Sequence, residues 1–199
     1  AEIRELTAIG KHGTAEVVVR PLNRTPITCR WVYDIKRNDK NEITLFKARL
    51  VVHGFKQIEG VDYNQTFSST AHMRSFRMIV MLACAFDLDV TQYDISNAFL
   101  NGVLKEEIYM EFPPGYPGID RDTCLKLLKG LYGLKQASRV WSERLLQELR
   151  KSGLVACKTD PGILYHPQYR CFVCIHVDDI IVATDDPKVR KAILDIMTK

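Results

Sequence analysis

The chain has 199 residues, of which 46% are apolar and 26% are charged, proportions that fit a folded globular protein and exclude disordered and fibrous classes. Its longest apolar run covers nine residues, 78–86, whereas a membrane helix needs about 20, so no transmembrane segment is predicted. The first residues lack the apolar segment of a signal peptide. Because the chain starts with Ala1 rather than Met, we expect an excerpt or a processed piece of something longer.

The net charge of +4 is unevenly distributed. Basic residues outnumber acidic ones over 1–60 and 124–151, whereas acidic residues outnumber basic ones over 85–123. Basic flanks can hold a polyanion while an acidic centre binds metal ions. Uneven surface charge gives the same pattern, so charge alone does not separate a nucleic-acid-binding protein from other classes.

Six cysteines are present, and five of them lie in apolar stretches, where Cys behaves as a small buried hydrophobic residue. Cys171 and Cys174 form a C-x-x-C, but no second pair at zinc-binding spacing accompanies it. The surrounding residues predict a strand, which would point the two side chains to opposite faces. We therefore expect unpaired structural thiols and a reducing compartment.

The first part of the chain contains a predicted hairpin and a predicted helix. Residues 1–26 are weakly patterned. Residues 27–37 and 43–53 are rich in β-branched and aromatic side chains, and the Asn-Asp-Lys-Asn segment between them predicts a hairpin. Residues 71–87 combine good helix formers with apolar side chains nearly all round, which predicts a buried helix.

Short strands alternate with helices over the rest of the chain. An amphipathic helix is expected over 137–152, with Trp141 in its core stripe and Gly153 as its stop. A last helix is expected to start at Pro187 with Asp186 as its N-cap. This order indicates an α+β fold, in which helices pack on one face of an antiparallel sheet. The strands are predicted over 89–95, 108–112, 124–129, 163–166, 171–177 and 180–184.

Two adjacent acids, Asp178 and Asp179, lie between two apolar strands, and we expect them at the tip of a tight hairpin. Adjacent carboxylates repel each other and resist burial, so a sequence selected for stability alone would favour Asn-Gly there. Asp is also a common turn residue, so the two acids by themselves are consistent with either an ordinary polar hairpin turn or a functional site.

A third acid, Asp94, ends a predicted strand. It also suits the cap of a helical turn beginning near Ser96. Together with the hairpin acids, it matches the arrangement in which strand-end carboxylates hold two divalent ions about 3.5–4 Å apart. Oxygen ligands of this kind favour Mg²⁺ or Mn²⁺.

A series of short motifs follows in order over most of the chain. They are Trp31-Val32, Lys47-Ala48-Arg49-Leu50-Val51, Gly54-Phe55, Gly60-Val61-Asp62-Tyr63, Thr66-Phe67, Asp94-Ile95, Ala98-Phe99-Leu100-Asn101-Gly102, Glu107-Ile108-Tyr109-Met110, Pro113-Pro114-Gly115, Leu131-Tyr132-Gly133-Leu134-Lys135-Gln136-Ala137, Asp160-Pro161 and Val177-Asp178-Asp179. In these motifs and their spacing the chain resembles the reverse transcriptase domain of copia-type long-terminal-repeat retrotransposon Pol polyproteins.

The resemblance implies a right-hand polymerase fold made of fingers and palm, with the thumb largely absent. Residues 1–88 would be mainly fingers, and residues 89–185 mainly palm with a fingers insertion over 105–135. Residues 186–199 would begin the connection to the thumb. The palm would be an antiparallel sheet with helices on one face.

The resemblance also implies an RNA-directed DNA polymerase, a nucleotidyltransferase. In this reaction the 3′-hydroxyl of a primer attacks the α-phosphate of a deoxynucleoside triphosphate. Asp94, Asp178 and Asp179 match the family's catalytic acids, and these three residues with Ile95 would be the metal ligands. Two Mg²⁺ or Mn²⁺ ions per active site are implied.

Several basic and aromatic residues match the family's nucleotide-binding positions. Lys47 and Arg49 match basic residues that meet the triphosphate. Their period-2 spacing places both on one strand face, although a solvated basic edge strand has the same pattern. Phe99 matches the aromatic residue that crowds the 2′ position of the sugar, and a core aromatic is the alternative.

Two further motifs match contact positions of the family. The loop of Tyr132, Gly133 and Lys135 matches a nucleotide- and template-contacting loop, although a turn leading into a helix also requires Gly. His176 and Val177 match positions beside primer and template.

Four positions depart from the family pattern. His176 replaces a usual Tyr, Ser138 and Ser69 replace usual prolines, and Ala15 replaces a common Trp. These departures leave the metal-binding acids intact but indicate a divergent or decaying copy. The alternative function is therefore an inactive nucleic-acid-binding remnant of such a polymerase. A metal-dependent phosphohydrolase is disfavoured because no nucleophile motif is present.

The implied partners are an RNA or DNA template with its primer, deoxynucleoside triphosphates, and the rest of the Pol polyprotein, including ribonuclease H and integrase. No membrane is involved. The implied location is the cytoplasm, within virus-like particles, with access to the nucleus also allowed.

Overall fold

The computed structural model describes residues 1–117 and 120–197. The chain divides into two compact units, each assembled from two separate stretches of sequence. Unit 1 consists of residues 1–67 and 99–141, and unit 2 consists of residues 68–98 and the residues from Ser142 onward. Among the described residues, no helix has the length and apolarity that a membrane span requires.

The helices and strands are α1 (Glu2–Lys11), β1 (Ala15–Val19), β2 (Cys29–Arg37), β3 (Ile43–Val52), α2 (Met73–Phe86), β4 (Asp89–Asp94), β5 (Val103–Met110), β6 (Thr123–Lys129), α3 (Ala137–Arg150), β7 (Val155–Ala156), β8 (Ile163–Tyr165), β9 (Cys171–His176), β10 (Asp179–Thr184) and α4 (Pro187–Met197). Two 3₁₀ turns lie at Gly54–Lys56 and Ala98–Asn101.

Unit 1 contains a three-stranded sheet in the order β1-β6-β5 and the hairpin of β2 and β3. The hairpin was predicted from the sequence and is confirmed. Its loop is ordered by the Asn38 side chain, which accepts hydrogen bonds from the backbone N–H groups of Lys40 and Glu42 at 3.1 and 2.9 Å. The core of the unit is formed by Ile27, Cys29, Leu50, Val52, Leu100, Leu104, Ile108, Met110, Leu127, Leu131, Leu134 and Ala137.

The weakly patterned segment 1–26 nevertheless contains α1 and β1. None of the residues of α1 is buried, although Ala8 and Ile9 pack partly against the core. The strand predicted over 108–112 is the longer β5, which is displaced toward the N-terminus. Its first half is rich in charged residues, as is common for edge strands, and this composition concealed it.

Unit 2 contains an antiparallel sheet in the order β4-β10-β9-β8-β7. After β10, the helix α4 begins at Pro187 as predicted. The Asp186 carboxylate accepts hydrogen bonds from the N–H groups of Lys188 and Val189 at 2.7 and 3.3 Å, which confirms it as the N-cap.

In the sheet of unit 2, both faces of the central strands are covered. On one face Val173 and Val182 are fully buried. On the other face Cys174 and Ala183 pack with α2. The sequence carries a signal for this, since β9 and β10 are continuous apolar runs rather than alternating ones.

The helix predicted over 71–87 is α2, but the expectation that it is buried was wrong. Ile79 and Ala83 are its only buried residues, whereas Met73 and Met81 are 63% and 72% exposed. A helix that packs on a single sheet buries one stripe, and its apolar composition does not reveal how many neighbours it has.

Candidate active site

The strand register of unit 2 places two of the predicted acids opposite each other. Asp94 is the last residue of β4, Asp179 is the first residue of β10, and the two are cross-strand partners. The backbone N–H of Ile95 donates to the carbonyl oxygen of Asp178 at 3.0 Å. This bond makes Asp94 and Asp179 a pair without mutual backbone hydrogen bonds, the class in which facing side chains approach most closely.

The opposed carboxylates have little local compensation. Asp94 is exposed and Asp179 is half-buried, and the Gln92 amide donates one hydrogen bond to Asp179 at 3.0 Å. No ion pair of the described residues includes Asp94, Asp178 or Asp179. Like charges directly opposite each other destabilise a sheet, so this arrangement fits a site for cations better than a stabilising contact.

The hairpin that carries the acids turns one residue earlier than expected. His176 pairs with Asp179, so the two-residue loop consists of Val177 and Asp178, whereas the sequence predicted Asp178 and Asp179 at the tip. Val177 has a φ of 59°, a conformation that β-branched residues rarely adopt. Such backbone strain costs about 1–3 kcal/mol and is concentrated at functional sites.

The predicted metal ligands do not form a closed coordination shell. Among residues 1–117 and 120–197, no three His, Cys, Asp or Glu side chains are grouped closely enough to hold a metal ion. The backbone nevertheless brings Asp94, Ile95, Asp178 and Asp179 to one end of the sheet. Carboxylate and carbonyl oxygens are ligands of the kind that Mg²⁺ and Mn²⁺ prefer, so the donor set fits these ions.

Three of the predicted nucleotide-binding residues, Arg49, Tyr132 and Phe99, contact one another in that order within unit 1. Lys47 and Arg49 lie on the same face of β3, and both are half-buried. The guanidinium carbon of Arg49 lies 5.2 Å from the centre of the Tyr132 ring, and Tyr132 contacts Phe99 edge-to-face with 4.9 Å between ring centres. The Nε of Arg49 is buried and has no hydrogen-bond partner among the described residues.

Gly133 is required for packing inside the protein. Its φ is 91°, and a Cβ at this position would collide with the carbonyl oxygen of Val52. The backbone N–H of Val52 in turn donates to the carbonyl of Tyr132 at 2.7 Å. The close backbone approach expected at this glycine is therefore an approach to the end of β3.

Lys135 is bound within unit 1. Its ammonium donates to the Tyr63 hydroxyl at 2.9 Å and lies 4.4 Å from the centre of that ring. Its backbone N–H donates to the side-chain oxygen of Gln57 at 2.7 Å. A contact from Lys135 to nucleotide or template stays a prediction.

Sequence reasoning missed a polar network, here called the polar clasp, which consists of Gln57, Asp62, Tyr63, Lys135 and Gln136. The Gln57 amide donates to the Gln136 side-chain oxygen at 2.9 Å, and the Gln136 amide donates to the carbonyl of Asp62 at 2.7 Å. Gln57 and Gln136 are only 5% and 1% exposed. Both follow a Lys in the sequence, but only the tertiary structure shows that they pair.

A second missed residue is Asp160, which is 4% exposed and caps α2 from a distant part of unit 2. It accepts hydrogen bonds from the N–H groups of His72 at 2.9 Å and Gly162 at 3.1 Å, and from the Ser75 hydroxyl. Burial acts to raise the pKa of Asp160, but these hydrogen bonds outweigh it, so the pKa lies below its ordinary value. The Asp-Pro motif thus has a structural role.

The remaining predicted residues agree with simple expectations. Trp141 is 5% exposed and therefore belongs to the core. All six cysteines are free, which confirms the prediction of unpaired thiols. Burial raises the pKa of Cys29, Cys171 and Cys174 to about 11, so these thiols stay protonated at neutral pH. His176 is exposed at the end of β9, and its contact with primer stays a prediction.

Comparison with known proteins gives a consistent result. The protein family described as reverse transcriptase (RNA-dependent DNA polymerase) matches residues 12–199. The chain is 37% identical over 188 residues to the Retrovirus-related Pol polyprotein from transposon TNT 1-94 of Nicotiana tabacum. The aligned region covers 92% of this chain and 14% of the relative. It is 35% identical over 194 residues to the Retrovirus-related Pol polyprotein from transposon RE1 of Arabidopsis thaliana. That alignment covers 96% of this chain and 13% of the relative. The resemblance inferred from the motifs is confirmed, and the chain belongs to the reverse transcriptase (RNA-dependent DNA polymerase) family.

Proposed function

We propose that the chain provides the fingers and palm of a copia-type RNA-directed DNA polymerase, which joins deoxynucleotides to the 3′-hydroxyl of a primer. Unit 1 is proposed as the fingers and unit 2 as the palm. The helix α2, expected in the fingers from the sequence, then belongs with the palm because it packs on β9 and β10. The observation that carries the proposal is the opposed pair of Asp94 and Asp179 beside Asp178.

The carboxylates of Asp94, Asp178 and Asp179 and the carbonyl of Ile95 are proposed to hold two Mg²⁺ or Mn²⁺ ions. Two such ions, when bound, activate an attacking hydroxyl and stabilise the leaving phosphate oxygen. The strands contribute by fixing the spacing of the acids before any ligand arrives, because β4, β10 and β9 are joined in one ladder. His176 and Val177 are proposed to lie beside primer and template.

In unit 1, Lys47 and Arg49 are proposed to neutralise the triphosphate of the incoming nucleotide. Both lie on one face of β3, and the Nε of Arg49 has no hydrogen-bond partner in the part of the chain that the structure describes. Phe99 is proposed to exclude the 2′-hydroxyl of a ribonucleotide by steric contact, with its ring held in place by Tyr132. Preorganised charge and shape of this kind contribute most of the rate enhancement in such enzymes.

The proposed partners are a primed RNA or DNA template, deoxynucleoside triphosphates and the remainder of a Pol polyprotein with its ribonuclease H and integrase. The proposed location is the cytoplasm, in virus-like particles. The polyprotein relatives support these proposals, because the chain spans only about one seventh of their length.

A primer-extension assay tests the proposal. The protein is expected to extend a DNA primer on an RNA template only when Mg²⁺ or Mn²⁺ is present, and Asp178→Asn should reduce the rate by about 10³-fold or more. The fold should persist in this variant, because relief of repulsion between adjacent acids keeps or raises its melting temperature.

The matched control is Asp87→Asn in the same unit. Asp87 ends α2 with a φ of 53°, a conformation that Asn adopts readily, so this variant should extend primers like the parent. Extension by Asp178→Asn at the parental rate would contradict the two-ion assignment.

A further inference from the structure

The N-terminal helix α1 places acidic side chains against the basic hairpin of unit 1. It packs on β3, and the Glu5 side chain accepts a hydrogen bond from the backbone N–H of Leu50 at 3.2 Å. Glu2, one turn earlier on α1, accepts a hydrogen bond from the hydroxyl of Tyr33 on β2. The two glutamates therefore reach different strands of the same hairpin.

Glu5 contacts β3 close to the proposed triphosphate ligands, because its hydrogen-bond partner Leu50 directly follows Arg49 in that strand. Burial raises the pKa of Glu5, and the bond from Leu50 together with the charges of Arg49 and Lys47 opposes this effect. Because Glu5 is itself half-buried, its charge is screened by water less than that of an exposed side chain.

The Arg49 side chain is only partly satisfied by the protein. Its guanidinium lies over the Tyr132 ring, and its buried Nε has no hydrogen-bond partner among the described residues. A negative charge close to this group lowers the positive potential that a phosphate would meet.

We propose that Glu5 is a built-in counter-ion that lowers the affinity of Lys47 and Arg49 for a nucleoside triphosphate. Its hydrogen bond to Leu50 holds its carboxylate at the edge of β3, next to the strand residue Arg49. This inference rests on the proposed function, because it assumes that Lys47 and Arg49 bind the triphosphate.

The experiment is equilibrium binding of deoxythymidine triphosphate, measured by calorimetry at low and high salt. Glu5→Gln keeps a side-chain oxygen for the Leu50 N–H but removes the charge. It should tighten binding by about three- to tenfold at low salt, and the gain should shrink at high salt. A merely structural role for Glu5 would not produce this salt dependence.

Glu2→Gln is the matched control, because it removes one charge from the same helix, one turn earlier, at a residue bonded to Tyr33. The triphosphate affinity of this variant should stay within about twofold of the parent, because Glu2 contacts Tyr33 on β2 whereas Lys47 and Arg49 lie on β3. In the background of Lys47→Ala and Arg49→Ala, Glu5→Gln should lose its effect, since the coupled partners are gone.

The outcomes separate this inference from the proposed function. If Lys47→Ala and Arg49→Ala weaken binding while Glu5→Gln leaves it unchanged or weaker, the counter-ion role is overturned and the nucleotide site stands. If the two basic residues can be replaced without any effect on binding, both proposals are overturned. Equal tightening by Glu2→Gln would also overturn the specific role of Glu5.

Discussion

The two units hold their candidate site residues by different means. In unit 2 the acids lie at the ends of β4 and β10, and the backbone hydrogen bonds of the sheet determine their positions. In unit 1 the loop that carries Tyr132 and Gly133 is held to the segment after β3 by the polar clasp, whose members are far apart in sequence.

This difference has consequences for mutation. A strand-end side chain can be replaced without moving its neighbours, because the ladder is formed by the backbone. A buried polar side chain that joins two loops is different, because its removal leaves donors and acceptors without partners. We therefore expect substitutions in unit 2 to separate activity from stability, and substitutions in the clasp of unit 1 to change both.

The largest effect on stability is expected for Gln136→Ala. It removes a side chain that is 1% exposed and leaves the Gln57 amide and the Asp62 carbonyl without their partner. The loss, on the order of 3 kcal/mol, should be visible in urea unfolding. The matched change in unit 2 is Gln92→Ala, whose exposed amide bonds to Asp179 and which should cost less than about 0.5 kcal/mol. Similar losses in the two variants would remove the distinction between the units.

The next effect concerns Phe99→Ala, which tests whether this aromatic residue is part of the site or only of the core. Removing the ring should raise the ratio of kcat/KM for ribonucleotides to that for deoxynucleotides by about tenfold or more, because the steric exclusion of the 2′-hydroxyl is lost. Lost packing against Tyr132 should lower stability by about 1–3 kcal/mol. An unchanged ratio with a lower melting temperature would make Phe99 a core residue.

Asp160→Asn tests a position in unit 2 that does not depend on the backbone hydrogen bonds of the sheet, because there a side chain caps α2. The substitution weakens the cap on His72 and Ser75 and should cost about 1–2 kcal/mol at pH 7. The pKa of Asp160 is lower in the folded protein than in the unfolded chain. The ionised carboxylate therefore stabilises the fold at pH values above the ordinary carboxyl pKa, and this stabilisation is lost as the pH falls through the pKa of the folded state. The melting temperatures of parent and variant should therefore converge below about pH 4. A constant difference down to pH 2 would contradict the capping role.

The smallest effect, of opposite sign, is expected at the hairpin turn. Val177→Gly should relieve the positive φ at this position and stabilise the protein by about 1 kcal/mol, offset in part by lost side-chain contacts. If the strained turn positions Asp178, the more stable variant should extend primers more slowly. Faster or equal extension would show that the strain has no part in the reaction.

Elements whose signals are local were predictable from the sequence. The hairpin of β2 and β3 follows from two β-branched runs and an Asn-rich loop, and α4 follows from Asp186 and Pro187. The hairpin of β9 and β10 was displaced by one residue. Val rarely adopts the left-handed backbone conformation, so the sequence does not predict Val177 in the turn. Only the pairing of His176 with Asp179 in the structure shows where the turn lies.

The sequence by itself determined the family and predicted the residues that would carry its chemistry, because motif composition and spacing are properties of the chain. The tertiary structure decided which acids face each other, which glutamines pair and which side of α2 is buried. These features depend on strand register and on contacts between residues that are remote in sequence, such as Gln57 with Gln136 and His72 with Asp160. Local propensity carries no record of such contacts, because each partner is an ordinary residue in its own segment.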